Sequence, residues 1–138
     1  MERLFLARSR VDTGLLSEES LRDQLSAAEE LLYVGHKEPA LVAAGAALEG
    51  ALRFRAGQIA GPTASPGALL EALLSTREID GREHEVLIDA LAARDRLVHG
   101  YSPERAEMTE PDRICLTLQV ATRLLEAPVT ESAAASRN

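Results

Sequence analysis

Apolar side chains recur along this chain at intervals of three and four, the spacing that lines one face of an α-helix. Leu21, Leu25, Ala28, Leu31 and Leu32 make the first such run. With Ser17 ahead of it as a natural N-cap, the run predicts a helix over residues 18–36. A second helix opens at Glu38-Pro39, where the fixed φ of proline suits the first turn, and continues to Arg55. Its residues 40–52 are almost wholly small or aliphatic, the mark of the most buried helix in a fold. Gly57 to Gly67 is rich in glycine and proline and reads as a loop. Ser65-Pro66 caps a short third helix to Thr76. A turn at Asp80-Gly81 leads to a fourth helix from Arg82 to His99, which Gly100 stops as the C′ residue. After an extended linker, Thr109 to Asp112 has the form of a capping box for a fifth helix that ends near Glu126.

The pattern therefore predicts an all-α fold, an up-down bundle of about five helices over residues 17–126. The first 16 residues read in more than one way. Leu4, Phe5 and Leu6 suit a strand, an extended arm packed on the bundle, or the end of a preceding domain. Residues 127–138 are small and polar and are expected to form a disordered tail.

Composition agrees with the helical reading. Hydrophobic residues make up 46% of 138, weighted to Leu and Ala, with two Phe, two Tyr and no Trp, whereas strands recruit aromatic and β-branched side chains. The length suits one domain. A single cysteine, Cys115, allows no internal disulfide and fits a reducing compartment. The opening residues lack the apolar run of a secretory leader. The stretch from Pro39 to Leu52 is too short, and too interrupted by Glu49, to cross a bilayer. A cytoplasmic protein away from membranes is the expectation. The net charge of −7 argues against general nucleic-acid affinity, so contact with RNA must come from a local arginine cluster. His36, His84 and His99 are scattered without ligand spacing, and no metal or cofactor is expected.

The fourth helix carries the chemistry. Projected at about 100° per residue, Val86, Leu87, Ala90, Leu91, Ala93, Leu97 and Val98 form one broad apolar face. Arg82, Glu85, Asp89 and Arg96 lie opposite. Arg94 falls within the apolar arc, between Leu87 and Ala90. An unpaired buried guanidinium costs several kcal/mol, so Arg94 needs a carboxylate inside the fold or a site at an interface, unless its stem snorkels out of a groove. His99, at the end of the helix, either complements the helix dipole or converges with Arg94 and Tyr101 on one ligand. Glu49 is the only charge between Glu38 and Arg53. It is either the buried partner that orients Arg94 or Arg53, or a solvent-facing residue of a tilted helix.

The string ARDRLVHGY, residues 93–101, resembles the signature of the HEPN superfamily (higher eukaryotes and prokaryotes nucleotide-binding domains). That signature is an arginine, a polar residue and, a few positions on, a histidine. Arg94-x4-His99 matches it, and Tyr101 matches an extended Arg-x4-His-x-Tyr form. The second position is most often Asn, and here it is Asp95. The run PALVAAGAALEGALRFR, residues 39–55, is similar to the Ala-rich Leu-Glu-x-x-Leu-Arg helix of bacterial HEPN-like domains. The two matches imply a HEPN-like bundle that pairs as a homodimer through the Arg94/His99 helix. They also imply a metal-independent endoribonuclease. In it His99 is the general base, Arg94 stabilises the phosphorane, Tyr101 bonds the phosphate and Asp95 orients its neighbours. Arg53 and Arg96 are the further cations expected to bind ligand. The alternative is a non-catalytic HEPN module that binds a nucleotide or RNA, or serves dimerisation. Its expected partner is an antitoxin or an associated nuclease domain.

Overall fold

The computed structural model describes residues 17–61, 63–103 and 106–126, the side chains of 58, 59 and 106 excepted. The two terminal segments read above as an arm and a tail lie outside the described residues. Among the described residues every regular element is helical: α1 (Glu18–Tyr33), α2 (Lys37–Ala60), α3 (Pro66–Ser75), α4 (Gly81–Val98) and α5 (Pro111–Glu126). A 3₁₀ turn, Ala106–Thr109, precedes α5.

Local chemistry sets most of the boundaries. Ser17 and Ser65 each accept a backbone N–H from three residues on, from Ser20 and Ala68 respectively. Asp80 and Glu83 form a reciprocal capping box that starts α4 at Gly81, where the sequence predicts a turn. Four expectations need correction. α1 stops at Tyr33 rather than His36, because the chain turns at Gly35 and His36 N–H returns to the carbonyl of Leu31. α2 runs through Gly57 to Ala60 rather than ending at Arg55, because Arg55 and Ala56 are buried and packing outweighs the weak helix propensity of glycine. The linker before α5 holds the 3₁₀ turn instead of being extended. Thr109 lies inside that turn, so Glu110 takes the boundary position and its carbonyl accepts the N–H groups of Arg113 and Ile114.

Ion pairs between helices fix the directions. Arg94 reaches Glu49 while Glu78, just ahead of α4, holds Arg55, so α4 runs opposite to α2. Arg113–Asp89 and Arg123–Glu83 make α5 antiparallel to α4, and Arg22–Glu126 makes α1 antiparallel to α5. The result is an up-down bundle with α2 at its centre, touching every other helix. Its core is leucine and alanine. Leu21, Leu41, Leu48, Leu52, Leu70, Leu73, Leu87 and Leu124 are almost fully enclosed, with Ala40, Ala44, Ala47 and Ala51 letting the helices approach α2. Thr117 is buried too, its hydroxyl donating to the carbonyl of Arg113. No helix among the described residues is long and apolar enough to cross a membrane.

Candidate functional site

α2 is almost wholly small or aliphatic over residues 40–52, yet one side of it stays uncovered. Ala46 and Phe54 are exposed there, and Val42, Glu49 and Arg53 are partly so. On α4, Ile88, Ala92, Asp95 and His99 repeat at helical spacing and are all exposed. Val98, assigned from the wheel to the apolar face, is 58% exposed, because it falls in the last turn where no helix covers it.

Between these stripes lies an ion cluster. Nη2 of Arg94 donates to Oε1 of Glu49 at 2.9 Å, and its Nε donates to Oδ1 of Asp95 at 3.1 Å. Arg53 donates from Nη2 to the other oxygen of Glu49 at 3.3 Å, and from Nη1 to the carbonyl of Ala64 at 2.9 Å. Of the readings open for Arg94, the internal carboxylate is the one realised. Glu49 serves both arginines rather than one. It is partly rather than fully buried, its side chain 30% exposed against 15% for Arg94. Burial alone would push the Glu49 carboxyl up. The hydrogen bonds and charges of Arg94 and Arg53 outweigh it and hold the group below the ordinary glutamate value.

Gly45 makes this geometry possible. A Cβ at that position would lie 2.8 Å from Cγ and 3.0 Å from Cβ of Arg94. Without one, the arginine stem lies directly across α2 and its head meets Glu49 one turn further on. Gly45 is not among the residues that the hydrophobic pattern singles out. The usable signal was a glycine four residues before Glu49, the one charge in the small and aliphatic stretch 40–52.

A second group gathers at the end of α4. Nδ1 of His99 is 2.8 Å from the carbonyl oxygen of Asp95. A carbonyl only accepts, so Nδ1 carries the proton, and in the neutral ring the Nε2 lone pair is the basic site. Gly100, at φ 87°, closes a Schellman turn in which Tyr101 N–H reaches the carbonyl of Arg96 at 2.8 Å. That turn sets the Tyr101 ring under the guanidinium of Arg96, 5.5 Å from ring centroid to Cζ, while Arg96 Nε donates to Ser102 O at 2.7 Å. Tyr101 itself is 62% exposed.

Asp95 links the two groups, its side chain on Arg94 and its carbonyl on His99. They do not share a direction. Five residues of helix turn by about 140° beyond a full turn and rise by about 7.5 Å, so Arg94 faces α2 while His99 faces solvent. Arg53 and Arg94 are balanced by Glu49 and Asp95, so the cluster has no formal excess of positive charge. Among the described residues no three His, Cys, Asp or Glu side chains gather as a metal-holding group. No family model, curated protein or solved structure matches the chain.

Proposed function

We propose that the chain is a HEPN-like module that works on RNA as a homodimer, with His99 as the general base of a metal-independent endoribonuclease. The reading rests on the residues of the two matched segments. One observation carries it furthest: the basic Nε2 of His99 and the anchored Arg94 point about 140° apart around α4. In a pair of copies, each brings its Arg94 toward the phosphate that the His99 of the other reaches. The uncovered face of small and apolar side chains around the cluster supports such a pairing.

In the paired site, Nε2 of His99 takes the proton of a ribose 2′-hydroxyl and the freed oxygen attacks the adjacent phosphorus. The bond from phosphorus to the 5′-oxygen breaks, and that oxygen leaves with a proton from solvent or from a protonated His99 of the other copy. The products are a 2′,3′-cyclic phosphate and a 5′-hydroxyl end. Arg94 keeps Nε and Nη2 on its two carboxylates and turns Nη1 to the charge building on the phosphorane. Tyr101, held beneath Arg96, bonds a phosphate oxygen. The purified protein is expected to cut single-stranded RNA in excess EDTA and to leave cyclic phosphate ends. His99→Ala, a change at an exposed side chain, should lower the rate by at least about 100-fold without loss of stability.

A second reading has its own support. With Arg94 bound to two carboxylates and the cluster formally neutral, the module is equally suited to dimerisation or to holding a nucleotide without cleaving it, beside an antitoxin or nuclease partner. RNA that binds but stays intact, equally with wild type and His99→Ala, selects this reading.

A further inference from the structure

Asp95 and His99 stand one turn apart at the end of α4, about 40° apart in projection, and both are exposed. Side chains so placed share a face, with Cβ atoms about 5–6 Å apart. The Asp95 carbonyl holds Nδ1 of His99 at 2.8 Å, which turns the imidazole back toward the turn that carries the Asp95 carboxylate. That carboxylate is itself held. Oδ1 accepts from Nε of Arg94 at 3.1 Å, Oδ2 takes no partner among the described residues, and the side chain is 66% exposed. The result is an oriented carboxylate, open on its outer side, beside the basic nitrogen assigned above to a ribose 2′-hydroxyl.

What such a group can meet follows from its charge. A carboxylate only accepts hydrogen bonds and repels a phosphodiester, so Asp95 is no phosphate ligand. In the nucleotide whose 2′-hydroxyl meets His99 the 3′-oxygen is esterified, which leaves the base as the source of donors. We propose, on the RNA-cleaving reading above, that Asp95 is a specificity-determining residue and selects guanine at that nucleotide. Guanine alone of the four bases sets two donors, N1–H and N2–H, side by side on its pairing edge. The two oxygens of Asp95 match them, because Oδ1 keeps a second lone pair beside its bond to Arg94. Adenine and cytosine place an amino group next to a bare ring nitrogen, which repels the second oxygen. Uracil places one N–H between two carbonyls. Single-stranded RNA exposes this edge for recognition. The Arg94 bond orients the carboxylate before the base arrives, so little further ordering opposes the contact. A doubly matched pair of this kind separates right from wrong base by roughly 5- to 150-fold.

The test uses short oligonucleotides of 2′-O-methyluridine in which one nucleotide keeps its 2′-hydroxyl and carries G, A, C or U. In excess EDTA the full-length protein should cut the guanosine oligomer roughly 5- to 150-fold faster than the other three, leaving a guanosine 2′,3′-cyclic phosphate end. Asp95→Asn keeps an acceptor for Arg94 and turns the other oxygen into a donor. It should therefore move the preference to adenine or cytosine, whose edges pair a donor with an acceptor, a reversal that a merely structural role does not produce. Asp95→Ala should cut all four at similar rates. The same oligomers with a 2′-deoxy nucleotide at the variable position resist cleavage, and their binding is read by fluorescence anisotropy. Guanine-selective binding that Asp95→Asn reverses, without cleavage of the first set, supports the assignment and overturns the nuclease reading. Wild-type cleavage that does not favour guanine, or a guanine preference that survives Asp95→Asn, overturns the assignment and leaves that reading standing. Neither binding nor cleavage of any oligomer overturns both.

Discussion

Two arginine–glutamate pairs tie α2 to the chain that follows it, and they differ in what surrounds them. Arg55 meets Glu78 at 2.6 Å with its side chain only 6% exposed, and Leu52 and Ala56 beside it on α2 are fully buried. Arg94 meets Glu49 at a similar 2.9 Å, but the pair is shared outward, Glu49 with Arg53 and Arg94 with Asp95. Its neighbours Ala46, Ala92 and Val98 are exposed. Pair geometry alone thus does not separate a brace from a site. The uncovered side chains around the pair do, since a ligand or second subunit has to reach it. A brace is recognised by what its loss does to stability, and a site by what its loss does to the open face.

The comparison breaks most directly at the enclosed pair. Arg55→Ala leaves Glu78 without its guanidinium at the base of α4 and opens space in the core. Loss of one partner of such a buried pair costs about 3–5 kcal/mol. Urea unfolding followed by circular dichroism should show a loss near the lower bound, because Glu78 retains 28% exposure and some hydration. A loss below about 1 kcal/mol, the range of surface pairs, would remove the distinction drawn between the two pairs.

At the open pair the expected effect is smaller and depends on pH. Arg94→Ala and Glu49→Gln, each alone and together, should give a coupling energy of about 1–2 kcal/mol, within the range for residues in one ion network. Because the folded-state pKa of Glu49 lies below its unfolded value near 4.5, the carboxylate contributes its stability in full at neutral pH. That contribution is lost as pH falls below about 4.5 and through the folded pKa. The stability gap between wild type and Glu49→Gln should therefore narrow steadily from pH 5 to pH 3. Glu83, held low chiefly by its hydrogen bond from Arg123, follows the same sign and remains in the variant, so it cancels in the difference. A gap that stays constant with pH would mean that the arginines do not hold Glu49 ionised.

How much of this was legible in the sequence follows from the range of the forces involved. Helix number and the direction of the bundle were readable, because caps such as Ser17 and Ser65 and the three-and-four spacing of leucines act locally. The misplacement of Arg94 on an apolar arc was readable for the same reason, and so was the need for a partner. Which partner was not, because Glu49 is 45 residues away and only the antiparallel packing of α4 on α2 brings the two together. Arg55 was lost to the reading since it stood near an apparent helix end at Gly57. The burial that carries α2 on to Ala60 comes from Glu78 and the core, neither of which is nearby in sequence. The exposure of Val98 was likewise invisible to a helical wheel, which assigns direction but not whether a neighbour is there.

Gly45→Ala sharpens the comparison from the other side, since it touches the open pair without removing any charge. The new methyl meets Cγ and Cβ of Arg94, atoms too near the backbone of α4 to swing away, so α4 must shift. Overpacking of this kind costs about 1–3 kcal/mol, and the better helix propensity of alanine returns up to about 1. A net loss of about 1 kcal/mol is expected, together with a weaker Arg94–Glu49 coupling in the double-mutant cycle. Unchanged stability and coupling would show that the stem does not need the glycine.

The smallest effect is the control that both pairs require, a stabilising backbone change that replaces no side chain of either pair. Arg77 follows α3 with φ 64°, a left-handed conformation, and it closes a turn in which Glu78 N–H reaches the carbonyl of Leu73. A non-glycine residue there is strained by about 1–2 kcal/mol, and glycine relieves this while losing more chain entropy on folding, by roughly 0.5–1 kcal/mol. Arg77→Gly should therefore raise stability by about 0.5 kcal/mol, read as a small upward shift in the urea midpoint with an unchanged slope. The residue immediately precedes Glu78. If Arg77→Gly stabilises while Arg55→Ala in the same background still costs its full amount, the enclosed pair acts through its own burial and not through the shape of the turn that presents it. If the two changes instead interact by more than about 0.5 kcal/mol, the turn and the pair form one unit, and the brace extends beyond the two side chains that define it.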